Sequence, residues 1–198
     1  MYSVHEMVAE DTTDSIDKLV YAAIANNEKL PFPDAYFDCY MANLSLMIVN
    51  DFNKQISEAY RVLEEGGCAG FTVWGRKEHT EFFTFFPEIL ERNGVTLPEE
   101  SHTNFHLNDK DKLEASLVKA GFKHPKLFYA PNNKPYYDAE KLYGINMGRP
   151  TTKAIIEGLG DEQIEAIKQD YISEFNKRFG PNSSEPLTFE ILFAVAWK

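Results

Sequence analysis

His102 and His106, in the stretch HTNFH, are four residues apart. On a helix that spacing would turn two imidazoles to one side, as two ligands of a zinc-type site require. The stretch has no helical pattern and no obvious third ligand, so no metal is expected. His5, His79 and His124 stand alone and read as surface or capping residues. Cys39 and Cys68 lie inside apolar runs, and no C-x-x-C occurs. They read as buried free thiols in a reducing compartment. The acid pairs Glu64-Glu65 and Glu99-Glu100 read as solvated, and no Ser/His/Asp or Cys/His arrangement is legible. Trp74, Phe82, Phe83, Phe85 and Phe86 form an aromatic group that could line a pocket for an apolar substrate or simply fill a core.

The elements that must position these residues belong to a chain of 198 residues, enough for one domain with a full core. A net charge of −11 weighs against nucleic acid or an anionic membrane face as partner, since phosphates are neutralised by Lys and Arg. A neutral or cationic small molecule suits the charge better. No run approaches the roughly 20 apolar residues of a membrane span, and no signal peptide opens the sequence. A soluble, intracellular protein is expected.

Val4 to Asp17 predicts a short helix, and KLVYAAIA (Lys18 to Ala25) a buried strand. LPFPD is a turn segment, because two prolines in three residues exclude helix and central strand. A second strand starts near Phe37. Asn50 or Asp51 caps a helix with an apolar stripe of Phe52, Ile56, Ala59, Tyr60 and Leu63, and Gly66-Gly67 stops it. CAGFTVWG (Cys68 to Gly75) is a third strand. Continuously apolar strands suit a parallel sheet covered on both faces. Glu78 to Asn93 is a helix, and Asn108 caps the next, which ends at Gly121. PKLFYA is a strand, three helices follow between Asp138 and Phe179, and LTFEILFAVAWK closes the chain as a strand. Strands alternating with helices give an α/β fold.

The order NEKLPFPDAYFD, EAYRVLEEGGCAGFTVWG, LEASLVKAGF and LTFEILFAVAWK resembles the class I S-adenosylmethionine-dependent methyltransferases, of the type-11, ubiquinone-biosynthesis-like branch. The resemblance runs from about Tyr2 to Lys198. It implies a Rossmann-like sheet of strand order 3-2-1-4-5-7-6, with ligands beyond the carboxyl ends of the strands. It also implies a glycine-rich turn after the first strand and an acid after the second for the ribose hydroxyls. The ribose-acid position falls on Tyr2 and the serine of the following helix on Val4, and no G-x-G-x-G occurs. The expectation is a single domain over 1–198, N-terminally truncated, with the first two strands absent.

The residues that the resemblance carries over to the cofactor are Asn26 and Asn27, in the turn that meets adenine, and Met41, Ala42 and Asn43, bordering the methyl-donor end. The cofactor implied is S-adenosylmethionine. Residues 131–186 form a helical insert before the last strand, where the family has a tight strand pair, and such an insert resembles a cap over the substrate mouth. It brings Tyr136, Tyr143 and Arg149 as substrate-pocket candidates beside Trp74. No catalytic residue is legible, because transfer of an activated methyl needs mostly positioning. The function implied is methyl transfer to a small molecule. The alternative is a non-catalytic, methyltransferase-derived binding or scaffold subunit. Cys39 and Cys68 would lie near each other on neighbouring strands, unbonded. Without its partner strands, Val20 to Ile24 would be a contact with a second copy or another subunit.

Overall fold

The computed structural model describes residues 24–97, 104–134, 138–180 and 187–198. Within them four strands and six α-helices form an α/β fold: β1 Phe37–Asn43, α1 Phe52–Val62, β2 Leu63–Trp74, α2 Glu81–Arg92, α3 Lys110–Lys119, β3 Lys123–Lys134, α4 Ala139–Met147, α5 Pro150–Ile156, α6 Asp161–Phe179 and β4 Leu187–Trp197. The sheet order is β1-β2-β4-β3. This matches the 4-5-7-6 part of the order that the resemblance implies.

The sheet is mixed, which corrects the parallel expectation. β1 and β2 run parallel, whereas β4 is antiparallel to both β2 and β3. A continuously apolar strand looks the same in either direction, so composition could not show this. The covering of both faces also fails for part of the sheet. Ala69, Phe71, Val73, Leu192, Ala194 and Ala196 face α1 and α3 and pack on Ile56, Ala59, Leu113 and Leu117. The opposite face meets α2 and the inserted helices only near the start of β4. Farther along, Met41 is 81% and Phe128 51% exposed.

Asp51 is the cap of α1: its carboxylate accepts from the backbone N–H groups of Asn53 and Lys54. Gly66-Gly67 does not stop this helix. The chain passes into β2 at Leu63, and Glu64 to Gly67 form a bulge between the register pairs Phe37–Leu63 and Cys39–Cys68. The cap of α3 is Asp109, which accepts from Asp111 N and Lys112 N, rather than the expected Asn108. At the far end, the Lys198 ammonium donates to the carbonyls of Tyr60 and Leu63, a cation set on the negative end of α1.

Arg61 directs the chain ahead of β1. Its guanidinium binds Glu58 and donates to the Leu30 and Phe32 carbonyls and to Asp34. Residues 28–36 therefore lie along α1. Glu28 accepts from Asp51 N at the start of the helix, and Ala35 N and Tyr36 N donate to Arg61 O and Val62 O at its end. The helix and strand expected over Val4–Ala25 fall outside the described residues, except Ile24 and Ala25, which are not strand. Of the expected contact Val20–Ile24, only Ile24 is described, and it is 65% exposed.

The inserted helices gather with α2. Phe85, Phe86, Ile89, Leu142, Tyr143, Ile167, Tyr171, Phe175 and Phe179 make a second core joined to the sheet through Leu187. The four phenylalanines of α2 thus part ways. Phe85 and Phe86 enter this helical core, Phe82 borders it while stacking on Phe189, and Phe83 turns toward Trp74.

Candidate functional site

The parallel strands β1 and β2 end on the same side of the sheet, at Asn43 and Trp74. Beyond Asn43 the chain must leave the sheet at once to start α1. Leu44 does this with φ of 49°, in the left-handed region that a leucine rarely adopts. Thr72, paired to Asn43 across the strands, holds that turn. Its hydroxyl accepts from Leu44 N at 2.9 Å and donates to the Asn43 side-chain oxygen. Replacing Thr72 by valine keeps the shape and removes both bonds. The expected cost is about 1–2 kcal/mol of stability, read from the urea midpoint. An unchanged midpoint would show that the turn holds without the hydroxyl.

Each cofactor candidate now has a place. Met41 and Asn43 project from the open face of β1 and are exposed, whereas Ala42 points into the core at 6% exposure. The Asn26-to-Lys29 turn is tied to the same end of the sheet through Glu28 and Asp51. Asn26 Oδ1 accepts from Glu28 N at 2.9 Å, which closes the turn, and Asn27 is half-buried within it. The Asn26 oxygen keeps a second lone pair, and the amide groups of Asn26 and Asn43 are donors.

These residues fit one border of an S-adenosylmethionine-sized ligand, the side that carries an amino-bearing ring and a sulfonium beside apolar surface. They do not supply a glycine-rich cradle for its carboxylate. The Glu28 carboxylate at this end accepts from Asp51 N.

An aromatic group stands beyond β2. Trp74 lies 4.9 Å from Phe83 and 5.9 Å from Phe189 between ring centroids. Phe82 stacks on Phe189 at 4.6 Å, and Phe105 meets Phe83 edge-on at 5.6 Å. The Arg149 guanidinium caps this group, 5.0 Å above the Phe82 ring. Trp74 and Arg149 are thus linked through the Phe189 and Phe82 rings rather than in direct contact. Tyr143 is not among them. It is 7% exposed in the helical core, against Phe86 and Tyr171, and burial pushes its hydroxyl above the ordinary value. Tyr136 lies outside the described residues. Thr72, Phe105 and Phe189 had no distinguishing sequence signal; only the alternation along β2 and β4 points to the first and last.

The turn after Trp74 is fixed by a second device. Arg76 binds the Glu190 carboxylate through Nε at 2.9 Å and Nη2 at 2.7 Å, and Arg76 N donates to the same carboxylate. Hydrogen bonding from Arg76 holds Glu190 below the usual carboxylate range. Gly75 is required here, because a Cβ would sit 2.6 Å from Glu190 Cγ. These bonds fix the path of the chain directly after Trp74.

His106 lies in a turn, with its ring 6.2 Å from Phe52, and His102 is outside the described residues. Among the described residues no group of three or more His, Cys, Asp or Glu could hold a metal ion, and no helix is long and apolar enough to cross a membrane.

Comparison with known proteins agrees with this fold. Residues 4–71 match the methyltransferase domain family of type 11. A malonyl-[acyl-carrier protein] O-methyltransferase of Geobacter sulfurreducens is 22% identical over 91% of the chain, which spans 66% of that relative. The ubiquinone/menaquinone biosynthesis C-methyltransferase UbiE of Pectobacterium atrosepticum is 48% identical over 54% of the chain, which spans 47% of its length. The chain thus spans about half to two thirds of the length of the curated relatives it matches. Among solved structures, a protein of Anabaena variabilis described as a methyltransferase from an antibiotic biosynthesis pathway superposes with a TM-score of 0.50. It is 12% identical, over 90% of this chain and 74% of that one, and shows the fold. The match over residues 4–71 and the shared fold agree with the resemblance to the type-11, S-adenosylmethionine-dependent methyltransferases.

Proposed function

We propose that this protein transfers a methyl group from S-adenosylmethionine to an apolar, ring-bearing small molecule at the carboxyl ends of β1 and β2. The observation that carries this reading is the joining of two surfaces at one end of the sheet. Asn43 and exposed Met41 stand at β1, and the Trp74–Phe83–Phe189 group stands just past Thr72, the register partner of Asn43. Asn26 and Asn27 border the adenine side, and Met41 and Asn43 the sulfonium side. Trp74 and Phe82 give an acceptor ring a flat apolar wall, which excludes water from the transferring methyl. The quinone named for the Pectobacterium relative is a molecule of this kind.

The helices α4 to α6 join the end of β3 to the start of β4, and so leave the sheet at this same end. In this reading they act as a cap, with Arg149 at its inner edge. The chemistry asks little of the protein beyond alignment of donor and acceptor. Accordingly the residues named here bind and orient, and none is assigned a proton.

Incubation with methyl-labelled S-adenosylmethionine and a set of alkylated phenols and hydroquinones tests the reading. Label is expected in an apolar ring acceptor. Replacing Trp74 by alanine is expected to raise KM for that acceptor at least about tenfold, the equivalent of roughly 1.4 kcal/mol of lost ring contact. Binding of S-adenosylmethionine with no labelled product from any ring acceptor would refute the activity and favour a binding or scaffold role.

A further inference from the structure

Cys39 and Cys68 are direct register partners on the parallel strands β1 and β2, and both side chains point to the open face of the sheet. Their sulfurs are 3.8 Å apart, and both thiols are free. Cys39 is exposed and Cys68 half-buried, which corrects the expectation that both are buried. The reason is that β1 is an edge strand among the described residues, and no helix covers this part of its outer face.

We propose that Cys39 and Cys68 are an oxidisable dithiol that closes reversibly into a disulfide and staples the edge strand β1 to β2. Three features of the backbone support closure. Register neighbours in a sheet have Cα atoms about 5 Å apart, inside the roughly 4.4–6.8 Å that a disulfide spans. Their side chains stand on the same face. The sulfurs therefore approach to bonding distance by rotation about χ1 rather than by movement of the strands. Beside them the bulge of Glu64 to Gly67 packs tightly on β1: a Cβ on Gly67 would lie 3.0 Å from Asp38 O. That close approach fixes the register of the pair. Gly66, with φ of 84°, gives the bulge the freedom to absorb what adjustment remains.

The chemistry balances with an external disulfide, such as oxidised glutathione, as the two-electron oxidant. The Cys39 thiolate, exposed to solvent, attacks one sulfur of the oxidant and expels one glutathione thiolate. The Cys68 thiolate then attacks the Cys39 sulfur of the mixed disulfide and expels the second. Two protein thiols lose two protons and two electrons, and one oxidised glutathione becomes two reduced ones. Local desolvation in the strand pair, the neighbouring Cys68 thiol and the Asp38 charge hold the Cys39 thiol above its ordinary value, so closure quickens as pH rises.

The test treats the intact chain at micromolar concentration with oxidised glutathione, quenches in acid, and maps peptides by mass spectrometry. The expected product has lost two hydrogens, carries a Cys39–Cys68 link within one chain, and returns to two thiols with dithiothreitol. Cys39→Ser and Cys68→Ser should each instead accumulate a glutathione adduct on the remaining thiol. Persistent glutathione adducts on the unsubstituted chain, links between chains, or two untouched thiols would each overturn the proposal.

Discussion

Replacing Tyr171 by alanine is expected to destabilise the protein by about 3–5 kcal/mol, the range for removing a large aromatic side chain from a core. Tyr171 is fully buried at the centre of the helical cluster. Its ring lies 5.0 Å from Phe85, 5.7 Å from Phe86 and 5.4 Å from Tyr143. Truncation therefore strips contacts from α2, α4 and α6 together. It also takes the hydroxyl away from the Asn146 amide, 3.3 Å off and itself 3% exposed. A smaller change, Tyr171→Phe, isolates that bond and should cost about 1–2 kcal/mol. Denaturant melts of both variants check the order. Equal costs for Ala and Phe would mean that the hydroxyl, not the packing, holds the helices.

The second large effect is loss of stability in acid. Glu58, Glu88, Asp170, Glu174 and Glu190 are all held below the usual carboxylate range, in each case chiefly by hydrogen bonding from an arginine: Arg61, Arg178, Arg92, Arg178 and Arg76 in turn. A carboxylate whose value is depressed on folding contributes stability that is complete above its unfolded value. That contribution is lost as pH falls through the folded value. The urea midpoint should therefore stay level from neutrality to about pH 5 and drop below about pH 4. Two of these five pairs, Glu88–Arg178 and Asp170–Arg92, join the inserted helix α6 to α2. Asp170 accepts from Arg92 and Asn93, and Arg178 bridges Glu88 and Glu174. The insert should loosen first, seen as faster amide exchange in α6 than in β2 at pH 4. Uniform loosening of sheet and insert, or a midpoint insensitive to acid, would contradict this account.

Local signals in the sequence were enough for the helices. Asp51 and the spacing of Phe52, Ile56 and Ala59 carry α1, and the stripe of Ile167, Tyr171 and Phe175 carries α6. What stayed hidden depends on residues far apart. The path of 28–36 is set by Arg61, some thirty positions on, through carbonyls that no side-chain pattern reveals. The direction of β4 follows from pairing, not composition. The split of the α2 phenylalanines is geometric: neighbours in sequence point about 100° apart on a helix, so Phe83 cannot share the face of Phe82 and Phe86. Trp74 and Arg149 were legible as site candidates, but the Phe189 between them sits in a strand whose apolar residues all look alike. Exposure of Cys39 follows from the edge position of β1 among the described residues, which depends on what lies beside the strand rather than on the strand itself.

The central claim is that the carboxyl ends of β1 and β2 form a site for S-adenosylmethionine. Calorimetric titration of the cofactor into the purified chain tests it most directly, alongside Met41→Arg. Met41 is 81% exposed, so this substitution leaves the core untouched while setting a like charge beside the sulfonium. The account predicts saturable binding in the micromolar range, weakened at least about tenfold by Met41→Arg, or roughly 1.4 kcal/mol. No saturable heat at millimolar cofactor, or identical binding by the variant, would contradict it.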